Sequence, residues 1–243
     1  MARIFITGSS DGLGQMAASL LIHGGHEVVL HARNKQRAKD AMDAVIGASN
    51  VVTGDLSSID ETKELARKIN ELGRFDAIIH NAGVYNVPQQ IVVNVNILAP
   101  YILTSLVTKP DRLVYLSSGD HLHGSPNLET LASGKGRLTY ADSKLHDVML
   151  AKAVARRYPK IYSNSVDPGW VPTKMGGRHA PDDLDQGFET QAWLAVSNDL
   201  KAMVTGRHFY HKKEAQHRPE ADDVQLQEKL LQVCEGLTGV KFE

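Results

Sequence analysis

Short apolar runs along this chain alternate with longer stretches in which apolar positions return every three or four residues. The runs near 2–6, 27–31, 50–53, 76–80, 112–117, 161–166 and 206–210 read as buried strands. The stretches near 13–23, 34–46, 58–72, 90–107, 139–157, 182–198 and 221–236 read as helices. Strands that alternate with helices predict an α/β fold, a single doubly wound parallel sheet with helices on both faces. No repeat, low-complexity tract or Pro/Gly/Ser-rich linker interrupts the pattern, so residues 1–243 are expected to form one domain. Two longer loops, Gly119 to Leu138 and Trp170 to about Pro181, follow the carboxyl ends of strands, where open α/β sheets bind ligands.

Composition narrows the classes without naming one. The 243 residues are 42% hydrophobic, enough for a large core, and the net charge is −1. Such a balance supplies no field to recruit nucleic acid. The single cysteine, Cys234, excludes an internal disulfide, suits a reducing compartment and is expected to be a buried, inert thiol. Ile91 to Val107 is the most apolar stretch; it contains Asn94, Asn96 and Pro100 and is shorter than a membrane span requires. A cytoplasmic protein without a spanning segment is expected. His121, His123 and His179 fall in the two long loops without ligand spacing or flanking carboxylates, so no metal site is expected.

Chemistry enters in the first βαβ unit and again in the helical stretch near 139–157. The first strand runs into Thr7-Gly8-Ser9-Ser10-Asp11-Gly12-Leu13-Gly14, and a helical pattern follows directly. Glycines in a strand–turn–helix context let the backbone turn sharply and approach a pyrophosphate, which the free N–H groups of the helix terminus then face. Further on, Tyr140 and Lys144 stand four apart in a helical stretch, so phenol and ammonium share a face. A nearby cation is expected to lower the phenol from its ordinary value of about 10 and so fit it for proton transfer.

The spacing Gly-x-x-x-Gly-x-Gly together with Tyr-x-x-x-Lys resembles the short-chain dehydrogenase/reductase family, over Arg3 to about Tyr210. The resemblance implies a Rossmann fold and a catalytic tetrad of Asn96, Ser118, Tyr140 and Lys144. It implies a nicotinamide dinucleotide held by Gly8, Ser9, Ser10, Gly12, Leu13, Gly14, Asp55, Leu56, Asn81, Ala82, Gly83, Tyr140, Lys144, Pro168, Gly169 and Thr173. His80-Asn81-Ala82-Gly83 is similar to the family's Asn-Asn-Ala-Gly turn, and Asp55 to the acid that contacts the adenine.

The cofactor expected is NADP, with NAD as the alternative. No acid ends the second strand, where a ribose 2′-OH would need one; the sequence there is His31-Ala32-Arg33-Asn34-Lys35-Gln36-Arg37, and Arg33 stands where a 2′-phosphate needs a cation. Cations crowded into a first helical turn oppose the dipole and suggest a bound anion. Asp11 argues the other way, since its charge would repel that phosphate.

Ser118, at the end of a strand-like run, is expected to bond a substrate carbonyl, and Tyr140 to move the proton. Alternation puts Ser117 on the other face. Pro100 has no N–H for the carbonyl of Asn96, so a kink is expected there, with that carbonyl holding a water. The connection from Asn81 to Asn96 is short for the family, and Ser118 to Tyr140 is long. That longer loop, the Ser143-Lys144-Leu145 after Tyr140 and Trp170-Val-Pro-Thr resemble the retinol-dehydrogenase-like branch. The substrate expected is a small carbonyl compound or alcohol, mostly apolar, with Trp170 as one wall, and a homo-oligomer is compatible with the reading. A non-catalytic NADP(H) sensor on the same fold is the competing function, and the joint presence of hydroxyl, phenol and ammonium weighs against it.

Overall fold

The computed structural model describes residues 1–242. Four strands open the chain, β1 (Arg3–Ile6), β2 (Glu27–Ala32), β3 (Asn50–Thr53) and β4 (Ala77–His80), separated by α1 (Gly12–His23), α2 (Lys35–Ala44) and α3 (Ile59–Glu71). Next come α4 (Gln89–Val92), a π-helical segment Val93–Leu98 and α5 (Ala99–Leu106), then β5 (Arg112–Leu116). A 3₁₀ turn (Gly119–His123) and α6 (Leu128–Ser133) precede α7 (Tyr140–Arg157), β6 (Tyr162–Asp167) and α8 (Leu184–Val196). The chain finishes with β7 (His208–Tyr210), β8 (Lys213–Glu214), a second 3₁₀ turn (Pro219–Asp222) and α9 (Val224–Thr238).

The strands form one sheet in the order β3-β2-β1-β4-β5-β6-β7-β8, parallel except for the antiparallel edge strand β8. The order doubles back between β1 and β4, which opens a crevice at their carboxyl ends. Because a strand sends successive side chains to opposite faces, each central strand feeds two cores. Phe5, Ile78, Leu113 and Tyr115 pack with α3, α5, α7 and α9. Ile4, Ile6, Ala77, Ile79, Val114 and Leu116 pack with α1, α2 and α8. With both faces covered, the strands read as continuous apolar runs, which is why the doubly wound parallel sheet was predictable.

Three elements depart from the sequence expectation. The helix expected over 90–107 is continuous only through its π segment, where the Ala99 N–H reaches the carbonyl of Asn94 five residues back. The expected kink ahead of Pro100 is thus a widened turn. The stretch Gly119 to Leu138 holds a 3₁₀ turn and α6 rather than an open loop, because Leu128 and Leu131 find the core beside α9. Strand β8 was not foreseen. Cys234 is buried, and burial pushes its thiol up, as expected. Among the described residues no helix is long and apolar enough to cross a membrane, and no group of three or more His, Cys, Asp or Glu is arranged to hold a metal ion.

Candidate active site

The glycine turn is fixed by what surrounds it. Gly8 has φ +64°, and a Cβ there would lie 2.9 Å from the Ala82 Cα. At Gly14 a Cβ would lie 2.4 Å from Asn81 Nδ2 and 2.8 Å from the Gly8 carbonyl, so the close approach is between turns as well as between helix and strand. Asn81 Nδ2 donates to the Thr7 carbonyl (2.9 Å), and the Ala82 N–H donates to Thr7 Oγ1 (3.0 Å). These bonds tie the loop after β4 to the loop after β1.

Ser9 is fully buried; its hydroxyl donates to the Ile6 carbonyl and accepts from the His31 N–H. That hydroxyl therefore holds β1 to β2 and does not face the crevice. His31, which the sequence reading passed over, accepts the Gly8 N–H at Nδ1 (3.0 Å) and bonds the Gly54 carbonyl through Nε2 (2.9 Å). Burial lowers it to about 4, so it stays neutral and keeps that acceptor.

Around this turn opens a cavity of about 410 Å³. Gly8, Ser10, Gly12, Leu13, Arg33, Asp55, Leu56, Asn81, Ala82, Gly83, Tyr140, Lys144, Pro168 and Thr173 all line it. Gly14 stands behind, packed on Asn81, and Gly169 lies in a second cavity. Asp11 caps α1 by accepting the Gly12 N–H (2.8 Å), and it pairs with both Arg37 (3.3 Å) and Lys174. Its carboxyl is held below its usual range, chiefly by the hydrogen bond from Lys174. Two cations therefore offset the charge that argued against a phosphate. Arg33 is exposed at the rim of the cavity.

A second cavity, about 610 Å³, adjoins the first and shares Leu13, Ser117, Tyr140, Pro168, Thr173 and Met175 with it. Its walls include Tyr85, Ser118, Asp167, Trp170 and Tyr210. Trp170 is 62% exposed, with its indole N–H on the Gly176 carbonyl, so it forms rim rather than floor. Tyr85 meets the Tyr140 ring edge-on at 5.1 Å.

Tyr140 opens α7, and a capping box positions it. Thr139 accepts the Asp142 N–H, and the Asp142 carboxylate takes the N–H of Thr139 (2.8 Å). The same carboxylate accepts from Ser125 N–H and Asn127 Nδ2, pinning the 119–139 segment to the helix start. Ser117 donates to the Lys144 carbonyl (2.7 Å) and so braces α7 on β5. Its neighbour Ser118 lines the second cavity, and Ser117, which alternation was expected to put on the other face, lines both cavities as well. The Asn96 side chain is locked onto Val84, accepting its N–H (2.9 Å) and donating to its carbonyl, with a further bond to Ser143 Oγ. Asn96 thereby braces the Gly83–Val84 loop from behind, outside the lining of either cavity.

Lys144 is almost wholly buried. Its ammonium donates to the Leu116 carbonyl (2.7 Å) and to Asp147 Oδ2 (2.9 Å), and lies 5.7 Å from the Tyr140 ring centre. The phenol is raised above its ordinary value, against expectation. Burial is the largest cause; Lys144 pulls the other way, and the carboxylates of Asp147 and Asp120 add to the rise. Asp147 escaped the sequence reading, although Tyr140, Lys144 and Asp147 fall at i, i+4 and i+7 on one helical stripe.

A crevice at the turn of the strand order, with a glycine turn, Tyr140 and Lys144 in its wall and Ser118 in the adjoining cavity, is the arrangement of a Rossmann-type oxidoreductase. Comparison with known proteins agrees. The family model described as short chain dehydrogenase matches residues 2–183. An uncharacterized oxidoreductase of Emericella nidulans is 47% identical over 99% of this chain and 98% of its own. The short-chain dehydrogenase chyC of Penicillium rubens is 41% identical, over 100% of this chain and 99% of its own. Retinol dehydrogenase 14 of Mus musculus is 28% identical, over 98% and 86%. Among solved structures, a protein of Mycobacterium paratuberculosis superposes with a TM-score of 0.85 at 24% identity, covering 100% of this chain and 95% of that one. The RhlG/NADP complex of Pseudomonas aeruginosa gives 0.69 at 22%, covering 86% and 94%. The chain belongs to the short-chain dehydrogenase/reductase family of oxidoreductases, and its similarity extends at lower identity to retinol dehydrogenases.

Proposed function

We propose that the chain interconverts a carbonyl and an alcohol with NADP as its cofactor and Tyr140 as general acid and base. One observation carries this reading: Ser118, Tyr140 and Lys144 meet where the glycine-turn cavity joins the cavity lined by Tyr85 and Trp170. The first cavity fits a dinucleotide, because its backbone turn leaves open space over Gly12 at the start of α1. Arg33 would pair with the 2′-phosphate, with Arg37 and Lys174 close by on Asp11. When bound, the nicotinamide supplies or takes up the hydride at the substrate carbon.

The protein supplies the proton and the polarisation. Ser118 donates a hydrogen bond to the substrate oxygen and stabilises the charge that develops on it. Tyr140 protonates that oxygen in reduction. Its raised value keeps the phenol protonated at neutral pH, which favours reduction there; oxidation gains as the pH rises. Lys144 has three N–H donors and commits two to protein oxygens, leaving the third for a ribose hydroxyl. In the same reading the Asn96 carbonyl, four residues before Pro100, accepts a water that exchanges protons with solvent. Leu13, Tyr85, Trp170, Val171 and Met175 give the second cavity an apolar side that suits a mostly apolar substrate, with Asp120, Asp167 and Asp182 elsewhere in its lining.

The test pairs binding with turnover. Tyr140→Phe should bind NADPH as the wild type does, followed by quenching of protein fluorescence, and should lose turnover on apolar aldehydes and ketones. Retained turnover would refute Tyr140 as the proton donor. A wild type that binds NADPH yet reduces nothing in a broad panel would favour the sensor.

A further inference from the structure

The floor of the site holds an ion pair that the proposed reaction does not by itself require. Lys144 Nζ and Asp147 Oδ2 are 2.9 Å apart, with side chains only 4% and 5% exposed. Burying two charges is expensive, and a well-packed apolar pair would hold a helix to a sheet as well or better. Their retention beside Tyr140 therefore needs a reason beyond anchoring. Geometry supplies one. Tyr140, Lys144 and Asp147 lie on one stripe of α7, and the ammonium stands over the Tyr140 ring at 5.7 Å while bonded to the carboxylate.

Building on the reading of Tyr140 as acid and base, we propose that Asp147 is a positioning residue. Its carboxylate holds the Lys144 ammonium against the floor of the site and subtracts from the field that the ammonium exerts on the phenol. Two consequences follow from the charges alone. An ammonium without its counter-ion would favour phenolate, so Asp147 raises the pH at which Tyr140 gives up its proton. The carboxylate also fixes the direction of the ammonium, so that one remaining N–H is aimed toward Gly83 and the first cavity; a Cβ at Gly83 would lie 3.4 Å from Nζ.

The other groups facing this pair come from several elements. Tyr115 on β5 feels the Asp147 charge, and burial raises its phenol. His80 on β4 stacks on Tyr115 at 4.7 Å, and burial lowers it to about 3. Both are uncharged at neutral pH. Asp120, in the turn after β5, is an exposed carboxylate that acts on Tyr140 in the same sense as Asp147. Burial raises Asp147 itself to about 6, against the pull of Lys144, so the carboxylate is ionised through the neutral range.

The decisive measurement needs no cofactor and no substrate. The ultraviolet difference titration of the protein minus its Tyr140→Phe variant reads the ionisation of Tyr140 alone. Repeated in an Asp147→Asn background, the midpoint should fall by about one pH unit, the size a nearby charge commonly produces. Asp147→Glu should stay with the wild type. In turnover, the pH limb of alcohol oxidation should move down by the same amount in the Asn variant. An unmoved midpoint in a folded Asn variant would overturn the proposal, whatever the activity. Loss of activity in Tyr140→Phe bears on the proposed reaction and leaves this titration standing. Should the Asn variant not fold, Asp147→Ser replaces it. If both neutral variants unfold while the Glu variant folds, Asp147 is only a structural counter-ion and the proposal fails.

Discussion

Lowering the pH should unfold this protein from within, through three buried imidazoles. His31, His80 and His208 are 3%, 4% and 1% exposed, and burial lowers them to about 4, 3 and 3 respectively. In the unfolded chain each titrates near its ordinary value of about 6.5. Between those limits the unfolded state binds protons that the folded state refuses, so stability falls as the pH drops below about 6.5. At pH ~4.5 the unfolded imidazole is about two units below its midpoint, which is roughly 2–3 kcal/mol for each site. Asp147 opposes them: raised from 3.8 to about 6, it disfavours the fold at high pH and returns roughly 2 kcal/mol on descent to pH ~4.5. The net loss is then about 5 kcal/mol, comparable with the whole stability of many domains. For 243 residues it corresponds to a fall in Tm of about 10–20 °C between pH ~8 and ~4.5. Urea titrations followed by circular dichroism at four or five pH values would measure it. A midpoint that stays constant, or rises on acidification, would refute the reasoning. The site should fail early, because His31 uses an unprotonated Nδ1 to accept the Gly8 N–H of the glycine turn.

Two further outcomes are expected. Arg33→Ala should raise the Kd for NADPH about 10-fold, the size of one lost charge-assisted hydrogen bond, and leave that for NADH nearly unchanged; equal changes for the two cofactors, by isothermal calorimetry, would remove Arg33 from the phosphate site. Gly14→Ala should destabilise by roughly 1–3 kcal/mol in urea unfolding, although alanine is ordinarily the better helix former, because its Cβ meets the Gly8 carbonyl at 2.8 Å; a gain in stability would show that the two turns give way.

How far the sequence reveals this site depends on how far each interaction reaches along the chain. The glycine turn is local: strand, turn and helix lie within residues 3–23, and the glycines are spaced by the turn itself. Tyr140 and Lys144 are legible because i,i+4 spacing survives any tertiary arrangement. Pro100 announces a defect in the helix ahead of it, though not that the defect is a π segment. The misses share a different cause. Helix α6 forms because Leu128 and Leu131 reach the core beside α9, about a hundred residues on, which no local pattern contains. The Ser9 hydroxyl, likewise, is engaged by the backbone of His31 from the neighbouring strand, a contact that no local pattern contains.

The sign of the shift at Tyr140 is the most instructive of these failures. From sequence, a lysine one turn away argues that the phenol is lowered, and the lysine does pull it down. Two quantities reverse the outcome: the depth at which α7 lies against the sheet, and the carboxylate that shares the ammonium. The first is a property of the whole fold, since α7 is covered by α9 from the far end of the chain and by the π segment Val93–Leu98. The second was in view as the next residue on the same stripe, and its meaning depended on burial, because an exposed Lys–Asp pair at i,i+3 does little to a neighbour through water. At 4% and 5% exposure the same pair acts at short range in a poorly screened medium, and Asp147 becomes a charge that the phenol cannot ignore. A motif therefore names the groups that react, whereas the protonation state in which they wait is decided by the solvent that folding removes.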